Sequence, residues 1–310
     1  RNGWLFSGAD TLKRAWTLYI AHIFLFVVFA AQVSFSATAL DRLDYLDEIH
    51  LDSLGEEPYR AMFEALTLHF QPAYLDILPM YIVLLTGFAL LLPLLRRPYL
   101  LAALSFTLYA ASRVFGLNLP SWQGGGWYFN PLTWQLLFIL GAILAYAPAA
   151  RPGPRITRTI DVLSGALVLF GLAMQWVIWE HQSLLQHVPA SITRILLQVD
   201  KEGLHPFRLT SILALAWVVS RLVPPSARWI NSRWAAPFVL CGQHSLPVFC
   251  VGIFLSFLGR LIMEEASGWW VDIGVSAGGG VLLVTVGALT AWYREKGRLA
   301  AAPLAGRVAP

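Results

Sequence analysis

Apolar residues run through this chain in long blocks, broken by short polar gaps. A helix that crosses a bilayer needs about 20 mainly apolar residues. Blocks of roughly that size fall at Ala15–Ala39, Ala73–Leu95, Tyr99–Leu117, Leu132–Ala147, Ile160–Trp179, Phe207–Val223, Pro237–Phe257 and Val271–Tyr293. The pattern predicts an all-α, polytopic transmembrane bundle with about eight spans in this chain. Pro79, Pro93 and Pro247 lie inside or near the ends of these blocks, where neighbouring groups can satisfy the carbonyls they free. The chain reads as one domain over residues 1–298, with an extracytoplasmic segment at 40–72 and a disordered cytoplasmic tail at 299–310.

Composition agrees, since 57% of residues are hydrophobic and 13% charged, about half the charge of a soluble domain. Basic residues gather in every second gap and carboxylates in the others. With the N-terminus in the cytoplasm, 15 of the 22 Lys and Arg residues fall inside, among them Lys13, Arg14, Arg96, Arg97 and Arg155. K/R-rich loops stay cytoplasmic, so both termini are expected in the cytoplasm of a bacterial inner-membrane protein. The net charge of +4 is spread over separate loops, which argues against nucleic acid. Cys241 and Cys250, nine residues apart, point to opposite sides of a helix and show no zinc spacing; no metal is expected.

Three outer gaps differ in character. Residues 40–72 carry eight carboxylates against Arg42 and Arg60, a balance of −6. Met62, Phe63, Leu66 and Phe70 recur at helical spacing there, which predicts an amphipathic surface helix. Residues 118–131 (N-L-P-S-W-Q-G-G-G-W-Y-F-N-P) carry no charge, and the gap 180–206 holds a short predicted helix at 188–199.

Polar groups inside a membrane are costly and mark candidate sites. His22 and His244 each fall roughly 10–12 Å in from the cytoplasmic edge of their spans. Each could belong to a site or bond a neighbouring helix, and Gln243 and Ser245 beside His244 also need partners. Asp76 and Tyr81 stand at the outer end of the second span. Asp76 suits a sugar hydroxyl or acid/base work, and equally a helix N-terminus favoured by the dipole. Trp127, Asn130, Trp134 and Gln135 combine aromatic faces with amides, as carbohydrate recognition requires, although interfacial aromatics also occur without a ligand. His205 and Arg208 flank the outer entry of the sixth span. There Arg208 is suited to a carboxylate or a lipid headgroup.

The wording of four segments is more specific. K-R-A-W-T-L-Y-I-A-H-I-F-L-F-V at Lys13–Val27, Q-P-A-Y-L-D-I-L-P-M-Y-I-V-L-L at Gln71–Leu85, W-Y-F-N-P-L-T-W-Q-L-L-F at Trp127–Phe138 and G-Q-H-S-L-P-V-F at Gly242–Phe249 resemble the OpgC family. Those membrane proteins are linked to succinylation of osmoregulated periplasmic glucans and belong with the acyltransferase-3-like enzymes. The resemblance implies transfer of an acyl group from a cytoplasmic thioester, acyl-CoA as co-substrate, to an extracytoplasmic glucan hydroxyl. It implies no bound cofactor, and membrane lipid and a glycan as partners. It places the catalytic histidine on a helix upstream of Arg1, in a full protein of about ten spans, with His244 in support. Lys13 and Arg14 match the basic position thought to meet the donor's phosphates, while Asp76, Tyr81, Trp127, Asn130, Trp134, Gln135, His205 and Arg208 would line the acceptor side. Two departures stand out: Asp10 and Thr11 replace an expected arginine, and Thr210 and Ser211 stand where a histidine is expected. A transporter or flippase of a polar solute, or an inactive remnant, is the alternative on residues alone.

Overall fold

The computed structural model describes residues 3–122, 124–146, 153–180, 199–224 and 227–305. These residues form helices joined by turns, with one isolated β-bridge, Pro120 to Gly126. The helices are α1 (Trp4–Ala39), α2 (Asp44–Ile49), α3 (Asp52–Glu56), α4 (Pro58–Leu66), α5 (Ile77–Leu91), α6 (Pro98–Phe115), α7 (Pro131–Tyr146), α8 (Pro154–Glu180), α9 (Pro206–Leu222), α10 (Ala236–Gln243), α11 (Ser245–Glu265) and α12 (Trp269–Ala305). A 3₁₀ turn, Leu92–Arg96, extends α5. Five helices begin at proline, whose fixed φ suits the first turn and whose missing N–H is not needed there.

The chain divides into two compact units, Arg1–Val223 and Pro224–Pro310. In the first, α1 and α5 pack closely and run antiparallel. A Cβ on Gly8 would touch the Ala89 carbonyl and Leu92, whereas at the other end Phe26 meets Phe70 edge-on and Phe29 meets Tyr74. The packed face of α1 is Ala15, Leu18, His22, Leu25, Phe26, Phe29 and Val33, all buried. α7 lies against α5 through Phe138, which packs edge-on with Tyr81 and Phe88. It lies against α6 through Gln135 and Ser105. α8 and α9 form a second antiparallel pair, tied by Asp161 to Arg221 at one end and by Phe170 to Phe207 at the other. In the second unit α11 and α12 make a hairpin in which Gly259 lets Val275 approach.

By length and apolarity, five helices among the described residues are able to cross a membrane: Trp4–Ala39, Ile77–Arg96, Arg155–Ile178, Ser245–Glu265 and Trp269–Lys296. α6, α7 and α9 form where three further spans were expected, but have only 18, 16 and 17 residues. Four expectations change. The first helix starts at Trp4 rather than Ala15, because Leu5, Phe6 and Leu12 continue the helix upstream of the basic pair. The seventh block is two helices, interrupted at His244. The surface helix ends at Leu66; Tyr59, Met62, Phe63 and Leu66 are exposed on it, whereas Phe70 is fully buried against Phe26 and Trp122. The last helix continues through the alanine-rich stretch to Ala305, past the point where a tail was expected, as alanine's helix propensity favours. Most of the predicted helix at 188–199 lies outside the described residues.

Candidate functional site

The polar residues singled out in the sequence separate into two classes, those already engaged and those with nothing to bond. Most acceptor-side candidates are engaged. Asn130 is the N-cap of α7: its Oδ1 accepts from Leu132 N–H (3.0 Å) and its Nδ2 donates to the Leu117 carbonyl (2.6 Å). Gln135 donates to the Ser105 carbonyl at 2.8 Å and accepts from the Ser105 hydroxyl at 2.6 Å, which joins α7 to α6. Trp127 is buried and its indole N–H donates to the Pro120 carbonyl. Asn118 pins the same loop by donating to the Trp127 carbonyl, and a Cβ on Gly126 would collide with it. Tyr128, not Trp127, is the exposed ring of that loop.

Trp134 belongs to a clasp that brings residues 200–205 onto α6 and α7. Its indole N–H donates to the Glu202 carbonyl (3.2 Å), to which Asn130 N–H also donates (3.1 Å). Tyr109 OH donates to the Leu204 carbonyl at 2.9 Å, and Arg113 pairs with Asp200 at 2.8 Å. Asp200 also accepts from Gly203 N–H, and a Cβ on Gly203 would meet both Arg113 and Asp200. His205 closes the arrangement by capping α9, its Nδ1 accepting from Phe207 N–H. Sequence reasoning missed Tyr109, Arg113 and Asp200. The Asn130–Pro131 and His205–Pro206 pairs are cap-then-proline signals that mark both helix starts.

The second class has no partner among the described residues. His22 is fully buried on the α5-facing side of α1, with neither ring nitrogen hydrogen-bonded. Arg208 Nε is buried without an acceptor, and so is His244 Nδ1. His244 is not in mid-helix. It sits at φ −117°, ψ 40° between α10 and α11, and Pro247 lies in the first turn that follows. A helix running through Pro247 would lose the bond to the Gln243 carbonyl; the break removes that conflict. Asp76 is the N-cap of α5, yet its carboxylate makes no capping bond. Burial pushes its carboxyl above the usual range, and the nearby amides of Asp76 and Ile77 only partly oppose this. Tyr81 packs edge-on against Phe138. Lys13 and Arg14 are exposed on α1, nine and ten residues after its start, and not at its N-terminal tip. The described residues contain no cluster of three or more His, Cys, Asp or Glu side chains fit to hold a metal.

A family model described as OpgC protein matches residues 1–295. The chain belongs to the OpgC family. No curated protein and no solved structure matches it. OpgC membership and the long apolar helices together point to a membrane protein.

Proposed function

We propose that this OpgC-family chain is a membrane O-acyltransferase that moves a succinyl-type acyl group from a cytoplasmic thioester to an extracytoplasmic glucan hydroxyl in the bacterial inner membrane. The observation that carries the reading is the family match over nearly the whole chain. In the reaction the sugar oxygen attacks the thioester carbonyl, a C–O bond forms, the C–S bond breaks, and the hydroxyl proton passes through a base to the leaving thiolate. His244, at a helix break with a buried and unpartnered Nδ1, is the described residue placed to support that base. With most acceptor-side candidates engaged in hydrogen bonds, the groups left for the glucan are Tyr81, Tyr128, Asp76 and Arg208.

Acyl transfer between compartments requires a bundle open at both faces, and the first unit contributes six long helices to such a bundle, α1 and α5 to α9. α6 starts beside Arg97 and leads to a loop where Trp122 N–H bonds the His69 carbonyl, next to the opposite end of α5. α7 and α9 start from that same loop cluster. Three helices of 16–18 residues therefore traverse the height that α5 traverses.

The test is transfer of radiolabelled succinate from succinyl-CoA to purified glucan by membranes carrying the protein. Base-labile label on the glucan is expected, and its absence from membranes with verified protein would overturn the reading. The transporter alternative draws on one observation, the interrupted helix at His244, a device found where polar solutes bind in mid-membrane. It requires solute flux without any acyl donor.

A further inference from the structure

The antiparallel packing of α1 on α5 fixes the height of Lys13 and Arg14. Gly8 lies against Ala89 and Leu92, and Phe26 and Phe29 lie against Phe70 and Tyr74 just before α5 begins. Arg14 is six residues from Gly8, about 9 Å along the helix. Arg96 lies four residues beyond Leu92 in the opposite direction, about 8 Å of 3₁₀ turn. The basic pair therefore stands roughly 17 Å above Arg96, beside the uncharged middle of α5 and past the midpoint of a ~30 Å hydrocarbon slab.

Charge and exposure define what that height holds. Asp10, Lys13, Arg14 and Thr17 recur at i, i+3, i+4 and i+7, one continuous polar face. Lys13 and Arg14 are exposed, and neither pairs with a carboxylate among the described residues. Asp10 offsets one of the two positive charges, which leaves a single uncompensated cation. Two cations at this depth facing lipid would be costly, so the face must meet a polar occupant. The several phosphate charges of a coenzyme thioester could not be brought that far in against one net positive charge. One carboxylate matches it.

We infer that Lys13 and Arg14 form an anion site at half the depth of the bundle, which reads a terminal carboxylate on the acyl end of the donor and not the donor's phosphates. The inference rests on the acyl-transfer reading above. It makes the pair specificity-determining: arginine can hold both carboxylate oxygens while lysine neutralises the charge. The phosphates stay at the Arg96–Arg97 face.

The experiment compares equilibrium binding of succinyl-CoA, acetyl-CoA and free CoA to the protein in lipid nanodiscs. Wild type is expected to favour succinyl-CoA over acetyl-CoA by about tenfold, the worth of a charge-assisted pair. In Lys13→Gln/Arg14→Gln that preference disappears, while affinity for CoA stays within about twofold, itself a control that the variant is folded. Lys13→Arg/Arg14→Lys keeps the preference. Equal weakening of all three ligands in the glutamine variant would assign the pair to the phosphates and overturn the inference alone. So would a wild type without preference. Failure of every CoA compound to bind wild type would instead overturn the acyl-transfer reading, and the inference with it.

Discussion

Single residues in this protein are most informative where burial and bonding disagree. His22 has no exposed surface and no hydrogen-bond partner for either ring nitrogen. An unbonded polar group in an apolar interior costs about 1–3 kcal/mol, which a side chain of similar volume without nitrogens would not incur. His22→Leu should therefore raise the melting temperature in detergent, and a fall would show that the imidazole is bonded in the working protein. Asp76 makes a pH-dependent counterpart. Its carboxyl titrates above the usual value of 3.8 because burial disfavours its charge. The folded state then holds this proton more tightly than the unfolded state. Its contribution to stability is complete below the unfolded value and is lost as pH rises through the folded one. Asp76→Asn should be more stable than wild type at pH 7, and thermal scans from pH 7 towards pH 4 should show that gap narrowing. A constant gap would locate the effect elsewhere.

At the level of elements, apolar runs announced the helices, but their joints were harder to foresee. Leu246, Val248 and Phe249 keep the seventh block hydrophobic across the break at His244, so hydropathy alone cannot register it; Pro247 in the first turn of α11 is the signal that does. Asn130 looked like a sugar-reading amide because amides and rings do crowd that loop. The proline beside it reveals the cap. The clasp joining Tyr109, Arg113 and Trp134 to residues 200–204 was illegible, since its acceptors are mostly backbone carbonyls that no side-chain pattern encodes. Tyr109→Phe should cost about 1–2 kcal/mol by leaving the Leu204 carbonyl unpaired. Gly203→Ala should also destabilise, by forcing Arg113 and Asp200 apart. Hydrogen exchange that loosens residues 200–205 while sparing the α8–α9 contact at Asp161 would confirm both.

For the whole molecule, charge alternation predicts an orientation, while the number of crossings depends on packing that hydropathy does not see. Among the described residues length and apolarity single out five helices, an odd number that by itself would place the two ends on opposite faces. Eight crossings place them on the same face. In a Cys241→Ala/Cys250→Ala background, Ser53→Cys and Ser121→Cys should react with a membrane-impermeant maleimide added to spheroplasts, and Arg96→Cys should not. Labelling at Arg96→Cys alone would invert the orientation. Reporters fused at both ends should read cytoplasm; opposite readings would favour the odd count.

The clasp also sets a clock on assembly. Trp134 lies 68 residues before the Glu202 carbonyl it bonds, and Tyr109 lies 95 before that of Leu204. At synthesis rates of roughly 5–20 residues per second, α7 waits about 3–14 s for its acceptor to be made. Its Asn130 N–H, bonded to the same carbonyl, waits as long. During that interval the mouth between α6 and α7 is unfinished, and only the arrival of residues 200–204 completes it.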